Sequence, residues 1–276
     1  MEKTFEDSTT ISIVFLTKAP TGKILFRALK ILSNRKEIEV KAVIVEDIIH
    51  LPLIKFIFRT LRRIIKGGLR AHDLARWGMM GIKQKIFNKS KDFINKDPLK
   101  NLLKERNIPL FFVKNTENKE TIDLIKNLQP DLNVIFMHRI LKKELFSIPK
   151  IFTINLHSGL LPRYPGGDPC FWSLVDGKKE VGLTVHEVIE RVDSGRIILV
   201  KKIPIVSQSI RDLNEKVMDM VPEALLEAIL KIKSNKNTPF IVHNNGERLY
   251  RHPPSIYTKL KFYAKLKYKG FIKHLK

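Results

Sequence analysis

The sequence predicts an α/β fold: an open, mostly parallel sheet flanked by helices. Two observations carry this. The chain opens with apolar β-branched run, amphipathic helix, apolar run, which is a β-α-β unit and places two parallel strands side by side. Further strand-like runs then recur to about residue 206, with helical patterns between several of them.

"ISIVFL", Ile11 to Leu16, reads as the first buried strand. "TKAPTG" reads as a turn and "KILFRALKIL" as an amphipathic helix. "EVKAVIVED", Glu39 to Asp47, reads as the second strand. The interval from about Ile48 to Ile94 reads as an insertion of helices. "ETIDLIKNLQPDLNVIFM" then gives a helix, a proline stop and a strand from Leu132 to Met137. "IFTINLH", "VGLTVHEV" and "GRIILVKKIPIV" are further strands. "SIRDLNEKVMDMVPEALLEAILKIKSN" is helical, with Pro222 as a kink or break.

A chain of 276 residues suits one large domain, with or without a small appendage. A hydrophobic fraction of 43% is that of a globular protein. The single cysteine, Cys170, excludes an internal disulfide and fits a reducing cytoplasm. The acidic start "MEKTFEDSTT" lacks the features of a secretory signal, and no apolar run approaches a bilayer span. A cytoplasmic protein, at most peripheral at a membrane, is expected.

The chemistry concentrates in "INLHSGLLPRYPGGDPCFW", Ile154 to Trp172. In an open parallel sheet, ligands bind at the carboxyl ends of strands, where the strand order reverses. Asn155 and His157 lie at such an end, and a spacing of two puts both on one face. An amide stabilises an oxyanion, an imidazole moves a proton, and a carboxylate orients the imidazole. Asn155, His157, Thr184, His186 and Asp193 together suit acyl transfer to an amine without a covalent enzyme intermediate. No Gly-x-Ser-x-Gly nucleophile motif is present.

The segment from Gln129 to Ile205 resembles the catalytic core of the folate-dependent formyltransferases, a family that includes glycinamide ribonucleotide, methionyl-tRNA and sugar N-formyltransferases. The "N-x-H-x-x-x-L-P-x-x-x-G" element followed by "T-x-H…D-x-G" carries the likeness. The resemblance implies a Rossmann-like core over residues 1–206, including the helical insertion, followed by a C-terminal helical region and short basic tail over 207–276. It implies N10-formyltetrahydrofolate as formyl donor and Asn155, His157 and Asp193 as catalytic residues. Two segments would border the pterin: Met137, Arg139, Ile140 and Leu141 in one, and Ile189, Glu190, Arg191 and Val192 in the other. Arg163, Tyr164, Gly166, Thr184 and His186 would line the acceptor pocket, with the Pro- and Gly-rich loop from Leu161 to Pro169 as a rigid wall. No metal is expected.

Departures from the family narrow the acceptor. The chain reads "HSGLLP" where many members read "HPSLLP", and "TKAPTGK" where glycinamide ribonucleotide enzymes carry a Gly-rich phosphate loop. The part after Val206 is too short for the additional barrel of methionyl-tRNA enzymes. An amino sugar on a nucleotide or lipid carrier is the expected acceptor, a small anionic amine. The rival readings are a glycinamide ribonucleotide or methionyl-tRNA formyltransferase-like enzyme, or a non-catalytic folate-, RNA- or membrane-binding protein on the same fold.

The net charge of +23 attracts polyanions, although solvated lysines of a lysine-rich proteome account for it equally well. Between Ile48 and His72 there is no acidic residue. There, Ile54, Ile57, Phe58, Leu61, Ile64 and Ile65 fall on one helical stripe, opposite Lys55, Arg59, Arg62, Arg63 and Lys66. This pattern suits either an anionic membrane surface or a helix packed on the core with its charges in water. The tail "YTKLKFYAKLKYKGFIKHLK" suits lipid, RNA or plain solvation; nucleic acid is the less favoured partner. A homodimer is left open.

Overall fold

The computed structural model describes residues 10–18, 22–46, 98–136, 140–206, 209–234 and 249–273. The expected helical insertion, with its basic residues Lys55, Arg59, Arg62, Arg63 and Lys66, lies outside the described residues, as do Met137 and Arg139.

The chain divides into two compact units, one of residues 1–50 and 94–250, the other of 51–93 and 251–276. The first unit is a seven-stranded sheet in the order β3-β2-β1-β4-β5-β6-β7. Its strands are β1 (Ile11–Lys18), β2 (Ile38–Glu46), β3 (Leu110–Val113), β4 (Leu132–Phe136), β5 (Phe152–His157), β6 (Glu180–Glu187) and β7 (Ile197–Pro204). β1 to β5 run parallel, and β6 and β7 are antiparallel to their neighbours. Strand order reverses between β1 and β4, so β5 stands one strand beyond the reversal, where parallel pairing gives way to antiparallel. The helices of this unit are α1 (Gly22–Leu32), α2 (Pro98–Glu105), α3 (Lys119–Leu128), α4 (Lys143–Phe146), α5 (Pro169–Val175), α6 (Ile210–Asp219) and α7 (Val221–Ser234).

The strands alternate their side chains between two cores. Ile11, Ile13 and Phe15 of β1 join Leu25 and Leu29 of α1 on one face. Val14 and Leu16 join Ile122 and Ile125 of α3 and Leu145 of α4 on the other. In β5 and β6 this alternation has a functional consequence. Ile154 and Leu156, with Val181, Leu183 and Val185, face the first core. The intervening positions are Asn155 and His157 in β5, and Thr184 and His186 in β6. These strands therefore give the second face of the sheet a polar end instead of an apolar one.

Two boundaries differ from the sequence reading. That reading ended the core at Val206, but α6 and α7 bury Leu213, Val217, Ala224, Leu225, Ala228 and Ile229 in the first core. At about 1.5–3 kcal/mol for a fully buried large aliphatic side chain, these helices are part of the core and not an appendage. The break falls at Met220, and Pro222 occupies the first turn of α7, where its missing N–H costs nothing. In the second unit, the segment read as a basic tail contains an eighth helix, α8 (Ile256–Lys273). Ser255 caps its start by accepting the Thr258 N–H at 3.0 Å. Among the described residues no helix is long and apolar enough to cross a membrane.

Candidate active site

Cross-strand register builds the site. Asn155 stands directly opposite His186, and His157 opposite Thr184. Opposed residues on one face of an antiparallel pair bring their Cβ atoms to about 5 Å, within reach of polar side chains. The Asn155 amide Nδ2 accordingly lies 3.2 Å from His186 Nε2.

The turn after β6 supplies the carboxylate. Asp193 sits there with a positive φ of 47°. Its Oδ2 is 3.6 Å from His157 Nδ1 and its Oδ1 is 3.5 Å from His186 Nε2. Gly195, two residues on, faces Glu187 so closely that an added Cβ would lie 2.0 Å from the Glu187 carbonyl oxygen. The glycine of the "D-x-G" element thus lets this turn close against β6.

The loop after β5 holds the histidine and the carboxylate through its backbone. The Tyr164 carbonyl is 2.7 Å from His157 Nε2, and a carbonyl only accepts, so Nε2 carries the proton and Nδ1 faces Asp193 bare in the neutral ring. The Gly166 N–H donates to Asp193 Oδ2 at 2.8 Å. The loop expected to act as a rigid wall is therefore also the clamp that selects the His157 tautomer. Its own anchor is Thr184, whose hydroxyl donates to the Gly159 carbonyl at 2.6 Å and accepts the Leu161 N–H at 3.2 Å.

Two expected pocket residues are corrected by this. Thr184 is fully buried beneath the loop with its hydroxyl engaged there, so it supports the wall and does not line the pocket. Tyr164 is 2% exposed, and its hydroxyl donates to Asp176 at 3.0 Å, so it contributes its carbonyl and not its ring. Asp176 escaped the sequence reading because "VDGKK" has the composition of an ordinary turn. Arg163 holds its guanidinium 5.9 Å from the Tyr164 ring centroid, and its carbonyl accepts the Leu249 N–H at 3.0 Å.

Gly159 was also missed as a site residue. An added Cβ would lie 2.7 Å from His157 Nε2 and 2.6 Å from the Pro169 Cβ. The glycine of "HSGLLP" therefore lets the loop pack on the imidazole. Gly159→Ala is expected to displace His157 and lower turnover at least about tenfold, with about 1–3 kcal/mol of overpacking. Steady-state kinetics and thermal melts of the variant check this; unchanged values in both would contradict it.

Lys143, two residues beyond the first segment expected to border the pterin, pairs at 2.9 Å with Glu190 of the second. Both partners are largely exposed, so the pair fixes neighbourhood more than stability. Ile140 and Ile189 are exposed apolar side chains, and Arg191 is exposed as well. Leu141, in contrast, packs in the second core, which leaves only its backbone for a ligand. The Val192 carbonyl accepts the Ser194 hydroxyl at 2.9 Å.

Burial pushes the His157 pKa below its ordinary value, against the opposing influences of Asp193 and the Tyr164 carbonyl. Burial alone would raise the Asp193 carboxyl, but its contacts with the His186 and His157 rings and the Gly166 N–H hold it down at about 2. Near neutral pH the pair is thus a carboxylate beside a neutral imidazole. Burial pushes the Cys170 thiol up to about 12, so it is no nucleophile there. Among the described residues no group of histidine, cysteine, aspartate and glutamate is arranged to hold a metal ion.

A consequence concerns pH. As pH falls, the unfolded chain protonates His157 at about 6.5, while the folded site resists to lower pH. The resulting stability is present above that range and is lost as pH drops through the folded value. NMR titration of the ring should give a midpoint below 6.5. Asp193→Asn should lower the midpoint further, because a raising influence is gone. A rise in Asp193→Asn would contradict the assignment.

The model of the family described as "Formyl transferase" matches residues 70–229, more than half of the chain. The chain belongs to the formyl transferase family. N10-formyltetrahydrofolate is the formyl donor of this family. A methionyl-tRNA formyltransferase of Clostridioides difficile is 36% identical over 155 residues, covering 55% of this chain and 50% of that protein. The bifunctional polymyxin resistance protein ArnA of Wigglesworthia glossinidia brevipalpis is 40% identical over 92 residues, 33% of this chain and 14% of that one. The chain spans half or less of these curated relatives. Among solved structures, glycinamide ribonucleotide transformylase 1 from Symbiobacterium toebii matches with a TM-score of 0.57 and 18% identity, over 85% of this chain and 96% of that one. A sugar N-formyltransferase from Shewanella matches with a TM-score of 0.52 and 16% identity, over 88% and 76%. At these identities the structural matches speak for the fold.

Proposed function

We propose that this formyltransferase moves a formyl group from N10-formyltetrahydrofolate to a primary amine at the site formed by Asn155, His157 and Asp193. The observation that carries the reading is the joint placement of these three side chains, with Asp193 held as a carboxylate beside His157. The exposed Ile140 and Ile189 would offer apolar surface to a flat heteroaromatic ring. The folate supplies the activated formyl group.

The residues then divide the work. The Asn155 amide donates a hydrogen bond to the oxygen on which charge develops, an interaction worth most in a site shielded from water. His157 keeps its Nε2 proton on the Tyr164 carbonyl and offers Nδ1 as a base. Asp193 pairs with the imidazolium formed when Nδ1 takes the proton that the amine sheds. The same nitrogen returns that proton to the departing group. The Gly166 N–H keeps the carboxylate in place throughout.

The acceptor we favour is an amino sugar on a nucleotide or lipid carrier. In its support, "TKAPTGK" after β1 lacks the Gly-rich phosphate loop of glycinamide ribonucleotide enzymes. A lipid-linked acceptor would also suit the basic stretch of Lys55, Arg59, Arg62, Arg63 and Lys66, which would then meet an anionic membrane. Methionyl-tRNA is the second reading, favoured by the Clostridioides relative. The test is a screen of amino-sugar nucleotides, glycinamide ribonucleotide and methionyl-tRNA with N10-formyltetrahydrofolate, following tetrahydrofolate release. Turnover with an amino sugar supports the favoured acceptor. Turnover at about 1 per second or faster with either other amine overturns it.

A further inference from the structure

The proposed mechanism leaves His186 without a task, although it lies 2% exposed in the middle of the site. Its two nitrogens have different partners. Nδ1 is 2.7 Å from the carbonyl oxygen of Glu187. A carbonyl only accepts, so Nδ1 carries a proton. In the neutral ring Nε2 is then a bare acceptor. Nε2 has two neighbours, the Asn155 amide nitrogen at 3.2 Å and Asp193 Oδ1 at 3.5 Å, and the nearer of them has N–H groups to give.

We infer that His186 is a positioning residue: fixed as the Nδ1–H tautomer by the Glu187 carbonyl, it accepts one N–H of Asn155 and so sets which way that amide points. An asparagine amide has two nearly isosteric orientations, one presenting N–H groups and the other a carbonyl oxygen. Only the first lets Asn155 donate to a developing oxyanion. A bare Nε2 accepts the amide nitrogen and repels the amide oxygen, which locks the first orientation. The second N–H of Asn155 is then held ready. The chain of orientation runs from the Glu187 carbonyl through His186 to Asn155. Gly195 lies against that same carbonyl, so the turn bearing Asp193 and the orientation of Asn155 share one backbone anchor.

The opposite protonation would reverse the effect. A proton on Nε2 would repel the Asn155 N–H groups, turn towards Asp193 Oδ1 and favour the flipped amide. The tautomer is therefore the point to measure.

This inference rests on the formyl-transfer reading for its kinetic part and is independent of it for its spectroscopic part. In the full chain at pH 7.5, 15N NMR of the histidine rings should show His186 protonated at Nδ1 and bare at Nε2, and His157 with the reverse pattern. Protonation of His186 Nε2 would overturn the inference, whether or not the protein transfers formyl groups. In the kinetic part, His186→Asn keeps a group near the Nδ1 position but none at Nε2. It should lower kcat by about tenfold to a hundredfold, up to the scale of losing an oxyanion donor, with little change in KM. His186→Gln, whose amide oxygen reaches the Nε2 position, should recover most of the loss. In an Asn155→Ala background, His186→Asn should cost nothing further, as expected for one residue acting through another. Additive losses, or no rescue by glutamine in a variant that melts like the wild type, would overturn it.

Discussion

Asp193→Asn is expected to lower kcat for formyl transfer by about a hundredfold or more while the chain still folds. The substitution keeps the shape and removes the charge. The imidazolium formed at His157 during transfer would then have no counter-ion, and the 3.6 Å gap between Nδ1 and Oδ2 would no longer stabilise a proton. Stability should also fall. The carboxyl is held at about 2, below its ordinary value of 3.8, so the folded state favours the ionised form. A depressed carboxylate contributes this stability above its unfolded pKa and loses it as pH falls through the folded value. The wild-type advantage over Asp193→Asn should therefore be full at pH 6 and vanish between about pH 4 and pH 2. Denaturant melts across that range check it. Near-full turnover in Asp193→Asn would remove the carboxylate from the mechanism.

Gly195→Ala should have a large effect on the fold around the site. Its Cβ would lie 2.0 Å from the Glu187 carbonyl oxygen and 2.7 Å from the carbonyl carbon, and backbone cannot swing aside as a side chain can. The turn must move away from β6, which also strains the pairing of Glu187 N–H with the Arg196 carbonyl at 2.9 Å. A loss of about 3 kcal/mol is expected, at the upper end of ordinary overpacking. Transfer activity should fall in the fraction that remains folded, because Asp193 and the acceptor of the His186 proton both ride on this contact. Gly177→Ala is the control. Nothing lies within 4 Å of its added Cβ, although its φ of 64° imposes a small strain of its own. Equal melting temperatures for Gly195→Ala and the wild type would contradict the packing argument.

Much of this site was legible in the sequence because strands encode their faces with a period of two. "TINLH" and "LTVH" each alternate an apolar with a polar residue, and that alternation brings Asn155, His157, Thr184 and His186 to one surface. What the pattern could not convey was register. Only the pairing of Asn155 with His186, and of His157 with Thr184, separates the residues that face the reaction from the one that supports the loop. Backbone partners were equally invisible, since any residue carries a carbonyl. The roles of Tyr164, Gly166 and Glu187 rest on main-chain atoms, and their side chains advertise nothing. The boundary at Val206 misled for a related reason. The helices beyond it are amphipathic, and a sequence shows that they have an apolar face without showing which core receives it.

The central claim, formyl transfer through Asn155, His157 and Asp193, is tested most directly by following the carbon itself. The full chain is incubated with N10-[13C]formyltetrahydrofolate and the amine acceptors named above, and the 13C spectrum is recorded with time. The account predicts growth of an N-formyl amide resonance with at least one acceptor, and its suppression by about a hundredfold or more in His157→Ala. Label that remains on the folate or appears only as formate with every acceptor, or an equal rate in His157→Ala, would contradict it.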